Sequence, residues 1–308
     1  MDSQLSVVSR DGARHEMRFF APRSPDAPVL LCLPAMGMAA EYYRPFAEAL
    51  ALADAGVAVL LDLRGQGRSS VRARNGGEFG YREILELDLP EAIGCLRQAF
   101  PGRRLYLVGH SLGGQLGLFL AARMAAALDG LILVATGTAY YRDWPRGGRL
   151  KPWLVTAGIR AVARILPWYP GSRLGFGGDQ PARLMRDWGR VTSRGEYRPE
   201  GSDFDYEQAA RSLSLPILSV EVRSDPVAPA TATEALLARA PLASLTRLQV
   251  DGVRRHRPWK RHFSWAREPA QVVAAIGGWL AKPRRYTQRA PSTSMHTPLM
   301  SEASSEAR

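Results

Sequence analysis

The apolar positions of this chain fall into two rhythms. Short apolar runs, Val29–Leu33, 57–62, 105–109 and 131–134, with the largely apolar 216–222, are each bounded by polar or turn residues, the pattern of buried strands. Between them apolar residues recur every three or four positions, over 41–55, 81–100, a dozen residues from Leu112, 230–239 and 269–280. That is the spacing of helices that bury one side. Pro90 falls inside the second of these and is expected to interrupt it, because proline lacks an amide hydrogen and crowds the preceding turn. Residues 4–9 and 15–21 alternate instead and flank Asp11-Gly12, so they predict an antiparallel hairpin, and 244–250 reads as the last strand. Strands alternating with helices predict an α/β fold, a mostly parallel sheet with helices on both faces.

One stretch breaks the alternation. Residues 137–212 carry Trp144, Trp153, Trp168, Trp188, the pair Tyr140-Tyr141 and Gly-Gly pairs at 147 and 177, with no buried strand run. A helical, aromatic-rich insertion after the sixth strand is expected to cap the carboxyl edge of the sheet and shape a pocket there. The core domain is then 1–136 with 213–281, and the cap is 137–212. Residues 282–308 are rich in Ser, Thr, Pro and Arg with almost nothing apolar to bury, and are expected to form a disordered tail. Within the cap, 151–169 has Arg160 and Arg164 opposite Leu154, Ile159, Val162 and Ile165. That apolar side is expected to pack on the core, with contact to a membrane surface as its other use.

Composition narrows the class. A chain of 308 residues with 46% apolar content can bury one large core. Its two cysteines, Cys32 and Cys95, fall in a strand and a helix, cannot make a disulfide framework and have no metal-ligand spacing, so neither a metal nor a cofactor is expected. No basic segment followed by an apolar core opens the chain, and no apolar run reaches the length of a membrane span. A soluble, cytoplasmic protein without an integral membrane segment is expected. The net charge of +12 invites a nucleic-acid partner, but the positive charge is nearly all arginine (the lysines are Lys151, Lys260 and Lys282), is scattered, and accompanies no nucleic-acid motif. The expected partner is a small molecule.

The chemistry concentrates at Gly109-His110-Ser111-Leu112-Gly113. A G-x-S-x-G arises by chance roughly 0.2 times in a chain this rich in glycine, so its flanks carry the inference. A strand precedes it and a helix follows, which makes it a nucleophile elbow, with Ser111 on a strained turn that the small neighbours Gly109 and Gly113 allow to close. The free amide of Leu112, in the first turn of the helix, faces the oxygen that turns negative when Ser111 attacks a carbonyl. A serine hydroxyl needs a base, and the base an orienting carboxylate. Parallel strands deliver their carboxyl ends to one edge, so residues past those ends converge. Asp225 follows one such strand; His262, with His256 in the same loop, lies beyond the last. Asp203 and Asp205 are rival acids, but they sit in the insertion. His15 and His296 lie in hairpin and tail, and His110 is an elbow packing residue. The loop 62–69 has two glycines and an arginine but lacks the spacing and the following helix of a nucleotide site.

From about residue 15 to 281 the chain resembles an α/β-hydrolase, with the elbow, the strand-end Asp225-Pro226 and a loop histidine in the family's order. The segments 33–37, 62–69 and 174–178 are also similar to a bacterial group of α/β-hydrolases predicted from sequence. The resemblance implies Ser111 as nucleophile, His262 as general base and Asp225 as its partner, and places Met36 where a second backbone amide joins that of Leu112 in the oxyanion hole. His262 is preferred to His256 because Phe263 follows it as in the family, although neither has the family's preceding glycine. Where the family often has His-Gly, this chain has Pro34-Ala35; a main-chain donor survives that change. The implied function is cleavage of a carboxylic ester or thioester through an acyl-enzyme. The alternatives are amide or peptide hydrolysis, as in proline-iminopeptidase-like relatives, and a ligand-binding homologue without turnover. Arg254, Arg255, Arg257, Lys260 and Arg261 around the histidine disfavour imidazolium unless Asp225 compensates, and could steer an anionic substrate.

Overall fold

The computed structural model of the chain describes residues 2–252 and 258–282. Its main sheet has eight strands: β1 (Asp2–Val8), β2 (Arg14–Phe20), β3 (Val29–Leu33), β4 (Val57–Leu61), β5 (Leu105–His110), β6 (Gly130–Val134), and, after the insertion, β9 (Ile217–Val222) and β10 (Leu245–Val250). They lie in the order β1-β2-β4-β3-β5-β6-β9-β10. β2 runs antiparallel to both β1 and β4, and the others pair in parallel. The unbroken apolar runs have their reason here. Leu31, Val59, Leu107 and Leu133 face one apolar cluster, and their neighbours Leu30, Ala58, Tyr106 and Ile132 face another on the opposite side of the sheet. A strand covered on both faces has no polar face to show. The helices Leu89–Ala99 and Leu112–Arg123 cover the first side, Arg44–Leu52 and Ala270–Leu280 the second.

Pro90 does not interrupt its helix as expected. The chain passes from Tyr81–Glu83 through a π-helical stretch, Ile84–Asp88, directly into Leu89–Ala99, where Pro90 stands in the first turn. The wider turn absorbs the missing amide, so the helix bends its ladder instead of ending.

The insertion holds the helices Leu150–Ile165, Ala182–Arg194 and Tyr206–Arg211, and also two short antiparallel strands absent from the sequence expectation, β7 (Trp168–Pro170) and β8 (Asp179–Pro181). It is tied to the sheet's first face: Leu184, Met185, Val191 and Tyr206 join that apolar cluster. The helix Leu150–Ile165 turns differently from its expected orientation. Thr156, Ile159 and Ala163 are buried, whereas Leu154 and Ile165 stand exposed. Small inner residues let it lie close to Ala182–Arg194, where the Arg160 stem would come within 2.9 Å of a Cβ on Gly189. No described helix is long and apolar enough to cross a membrane. The expected tail, from 283 onward, and the segment 253–257 lie outside the described residues.

A buried polar cluster anchors the hairpin. The Arg64 guanidinium donates to Asp88 Oδ1 at 2.6 Å and to Asp11 Oδ2 at 2.7 Å, Ser9 Oγ donates to Asp88 at 2.6 Å, and His15 Nε2 lies 3.1 Å from the same carboxylate. Burial pushes Asp88 up, but the close His15 ring and the hydrogen bonds from Arg64 outweigh it and hold the carboxyl below its ordinary range.

Candidate active site

β5 ends at His110 and the helix Leu112–Arg123 begins two residues later, so Ser111 alone must turn the chain. It does so at φ 52°, ψ −117°, a conformation that costs an L-residue on the order of 1–3 kcal/mol. The turn is tight enough to exclude side chains beside it. A Cβ on Gly113 would lie 2.3 Å from the Leu33 carbonyl oxygen, and one on Gly109 would lie 2.4 Å from Gly114 Cα. The glycines therefore let the elbow lean on the end of β3. The Ser111 carbonyl accepts from the amides of Gly114 and Gln115, each at 3.0 Å, which leaves the half-buried hydroxyl as the group the turn presents.

Past the end of β9, the Asp225 amide donates to the Val222 carbonyl at 3.2 Å and closes a turn. Its carboxylate is buried, with Oδ1 accepting from the amides of Val227 at 2.8 Å and Ala228 at 3.3 Å. Oδ2 lies 2.7 Å from His262 Nδ1. Because an ionised carboxylate only accepts, this contact puts the imidazole proton on Nδ1 and the lone pair on Nε2. His262 Nε2 is buried and has no hydrogen-bond partner among the described residues. His262 lies on a short helix, Pro258–Ser264, not in a loop as expected; a proline in the first position presets the helical φ.

The sites expected from sequence thus separate. Asp225 and His262 come together. No hydrogen bond joins Ser111 to His262 among the described residues; the two are linked through His110, whose ring centroid lies 4.7 Å from that of His262. Asp205 caps the helix Tyr206–Arg211 by accepting from the Gln208 amide at 2.9 Å, and Asp203 is exposed. His15 belongs to the hairpin cluster. His256 and His296 lie outside the described residues, as do Arg254, Arg255 and Arg257 of the basic run. Of that run's described members, Lys260 stands over the Trp259 ring at 5.6 Å, and the Arg261 stem lies against Gly252.

Tyr43 escaped the sequence reading. Its Oη accepts from the Ala35 amide at 3.0 Å and its hydroxyl donates to His110 Nδ1 at 2.7 Å, so it joins the loop after β3 to the elbow. Burial keeps the phenol protonated. Burial, reinforced by the neighbouring His262 imidazole, also pushes His110 well below the ordinary histidine range, so His110 stays a neutral spacer between Tyr43 and His262. Only the adjacency of His110 to Ser111 hinted at this; nothing in the sequence singles out Tyr43.

The loop after β3 carries Met36 and then Gly37 at φ 75°. A Cβ on Gly37 would lie 2.3 Å from Gly177, so the Gly177-Gly178 turn of the insertion rests directly on this loop. Its far end is held by Asp62, which accepts from the amides of Ala40 at 2.7 Å and Arg68 at 2.9 Å. The amides of Met36 and Leu112 donate in no hydrogen bond among the described residues. No group of three or more His, Cys, Asp or Glu among the described residues could hold a metal ion.

Residues 28–165 match the family model described as the alpha/beta hydrolase fold. The putative carbamate hydrolase RutD of Agrobacterium fabrum is 26% identical over 240 residues, 71% of this chain and 84% of RutD. A soluble variant of the monoglyceride lipase of Saccharomyces cerevisiae, solved with a substrate analogue, is similar at TM-score 0.66 and 15% identity, over 91% of this chain and 94% of the lipase. The thioesterase domain from the curacin biosynthetic pathway is similar at TM-score 0.55 and 18% identity, over 90% of this chain and 99% of the domain. At these identities the structural likeness is one of fold.

Proposed function

The chain belongs to the α/β-hydrolase superfamily, and from that premise we propose that it is a serine hydrolase cleaving a carboxylic ester or thioester through an acyl-enzyme. The observation that carries the reading is the buried Asp225–His262 pair, 2.7 Å apart, at the sheet edge where the strained Ser111 stands. Ser111 is the nucleophile. His262 Nε2 takes its proton as Oγ bonds to the substrate carbonyl carbon, and the amides of Met36 and Leu112 receive the resulting oxyanion. The carbon–oxygen or carbon–sulfur bond then breaks, with the leaving group taking the proton from His262. Water, deprotonated by the same nitrogen, releases the acid. Asp225 fixes the tautomer and favours the transient imidazolium, while His110, kept neutral, adds no second positive charge beside it.

The test is turnover by the purified full chain of p-nitrophenyl esters from acetate to palmitate, alongside an acyl thioester, a carbamate and an aminoacyl anilide. Ester or thioester hydrolysis that Ser111→Ala abolishes, and His262→Ala nearly abolishes, is the expected result. Turnover confined to the anilide would assign an amide hydrolase instead. Failure of every substrate, or activity that survives Ser111→Ala, would remove the proposal.

A further inference from the structure

We propose that the outer face of the helix Leu150–Ile165 docks on an anionic phospholipid bilayer. At 100° per residue, Leu150, Leu154, Ala161 and Ile165 share one narrow arc, opposite Thr156, Ile159 and Ala163. The inner residues are buried, yet they are the smaller set. Apart from Ile159 and the half-buried Val162, the large apolar side chains point outward: Leu150 is 68% exposed, Leu154 54% and Ile165 81%. Eight of the fifteen large apolar side chains exposed among the described residues lie between 150 and 176. This helix is therefore turned inside out relative to one whose only task is to pack on a core, and a contiguous exposed apolar surface marks a contact site.

Charge selects the occupant. From 144 to 178 the chain has no Asp or Glu and six cations: Arg146, Arg149, Lys151, Arg160, Arg164 and Arg173. Arg164 flanks the apolar arc directly, Arg146 precedes the helix, and Arg173 follows it; all three are exposed. A second copy of the same face would bring two uniformly positive segments together. A nucleic acid would answer the arginines but leave Leu150, Leu154 and Ile165 unmatched. A bilayer with anionic headgroups meets both, with the arginines at the phosphates and the apolar arc at the acyl boundary. The insertion bearing this face rests through Gly177-Gly178 on the Met36 loop, so docking would bring the bilayer to the side of the molecule that carries Ser111. The docking itself does not depend on the hydrolytic reading of that serine.

The test is sedimentation of the full chain with vesicles of phosphatidylcholine alone, or with about one third phosphatidylglycerol, scored by bound fraction. The chain is expected to sediment with the anionic vesicles and to be released as salt rises. Leu154→Gln with Ile165→Gln, which alters no charge, is expected to weaken partitioning about tenfold or more. Arg146→Ser and Arg164→Ser are each expected to weaken it roughly fivefold. All four side chains already meet solvent, so the thermal midpoint should not move, and that checks folding. No sedimentation with anionic vesicles would overturn the proposal. So would equal binding to both vesicle types, or binding indifferent to the Leu154 and Ile165 changes, the signature of a purely electrostatic or nucleic-acid surface. A dimer in solution that the same changes dissolve would assign the face to a second copy.

Discussion

Asp225→Asn tests the orienting role proposed for the carboxylate with little change in shape. Oδ1 accepts from the amides of Val227 and Ala228, so an asparagine must keep its carbonyl oxygen there. Its amide nitrogen then takes the place of Oδ2, 2.7 Å from His262 Nδ1, where it can only donate. That forces the imidazole proton onto Nε2, and a ring protonated on Nε2 cannot accept from Ser111. The wrong tautomer in a Ser-His-Asp site costs about 10⁴ in kcat, or about 5.5 kcal/mol of transition-state stabilisation. The assay is kcat and KM on the best p-nitrophenyl ester, with Asp203→Asn and Asp205→Asn as controls that should stay near wild type. KM should hardly move, because ground-state binding does not use the proton. Retention of more than a tenth of wild-type kcat by Asp225→Asn would refute the assignment, as would an equal loss in either control.

Gly113→Ala gains helix propensity of about 1 kcal/mol, yet its Cβ would lie 2.3 Å from the Leu33 carbonyl oxygen; turnover should fall by at least about tenfold with a lower thermal midpoint, read by calorimetry alongside kinetics. Tyr43→Phe leaves the Ala35 amide and His110 Nδ1 without their shared partner, an expected cost of about 1–3 kcal/mol in denaturant unfolding. In acid, the hairpin cluster should fail early. The Asp88 carboxyl is held below its ordinary value of 3.8, so the unfolded chain protonates first, and stability present above that pH drains away as pH falls through it. The urea midpoint should therefore drop on acidification through this range in the wild type and drop less in Asp88→Asn.

What the sequence discloses and what it withholds follow from the range of the forces involved. The elbow is local: Gly109, Ser111 and Gly113 are close in the chain, and the steric need for glycine on either side of a strained serine is written into the pentapeptide. The four central parallel strands are equally plain, since burial on both faces leaves Val29–Leu33 or Val57–Leu61 with no polar position to blur the run, whereas the edge strand Leu245–Val250 is largely exposed and mixes polar with apolar residues. Of the face expected to pack inward on Leu150–Ile165, Ile159 and Val162 do so and Leu154 and Ile165 do not, because helical spacing tells which residues share a face, not which face meets the protein. Here Gly189 on the facing helix makes room for the Arg160 stem, and periodicity says nothing of that partner. The helix under His262 and the π-turn before Pro90 were missed because each is a short stretch shaped by its neighbours. Tyr43 was invisible for a related reason, since its two partners, Ala35 and His110, are 8 and 67 residues away along the chain.

The most direct test is to treat the full chain with a fluorophosphonate, a reagent that phosphonylates only an activated serine, and to locate the adduct by peptide mass spectrometry. A single stoichiometric adduct on Ser111, formed far more slowly in His262→Ala and Asp225→Asn, is the predicted result. A folded wild-type protein that stays unlabelled, or one labelled at another serine, would contradict it.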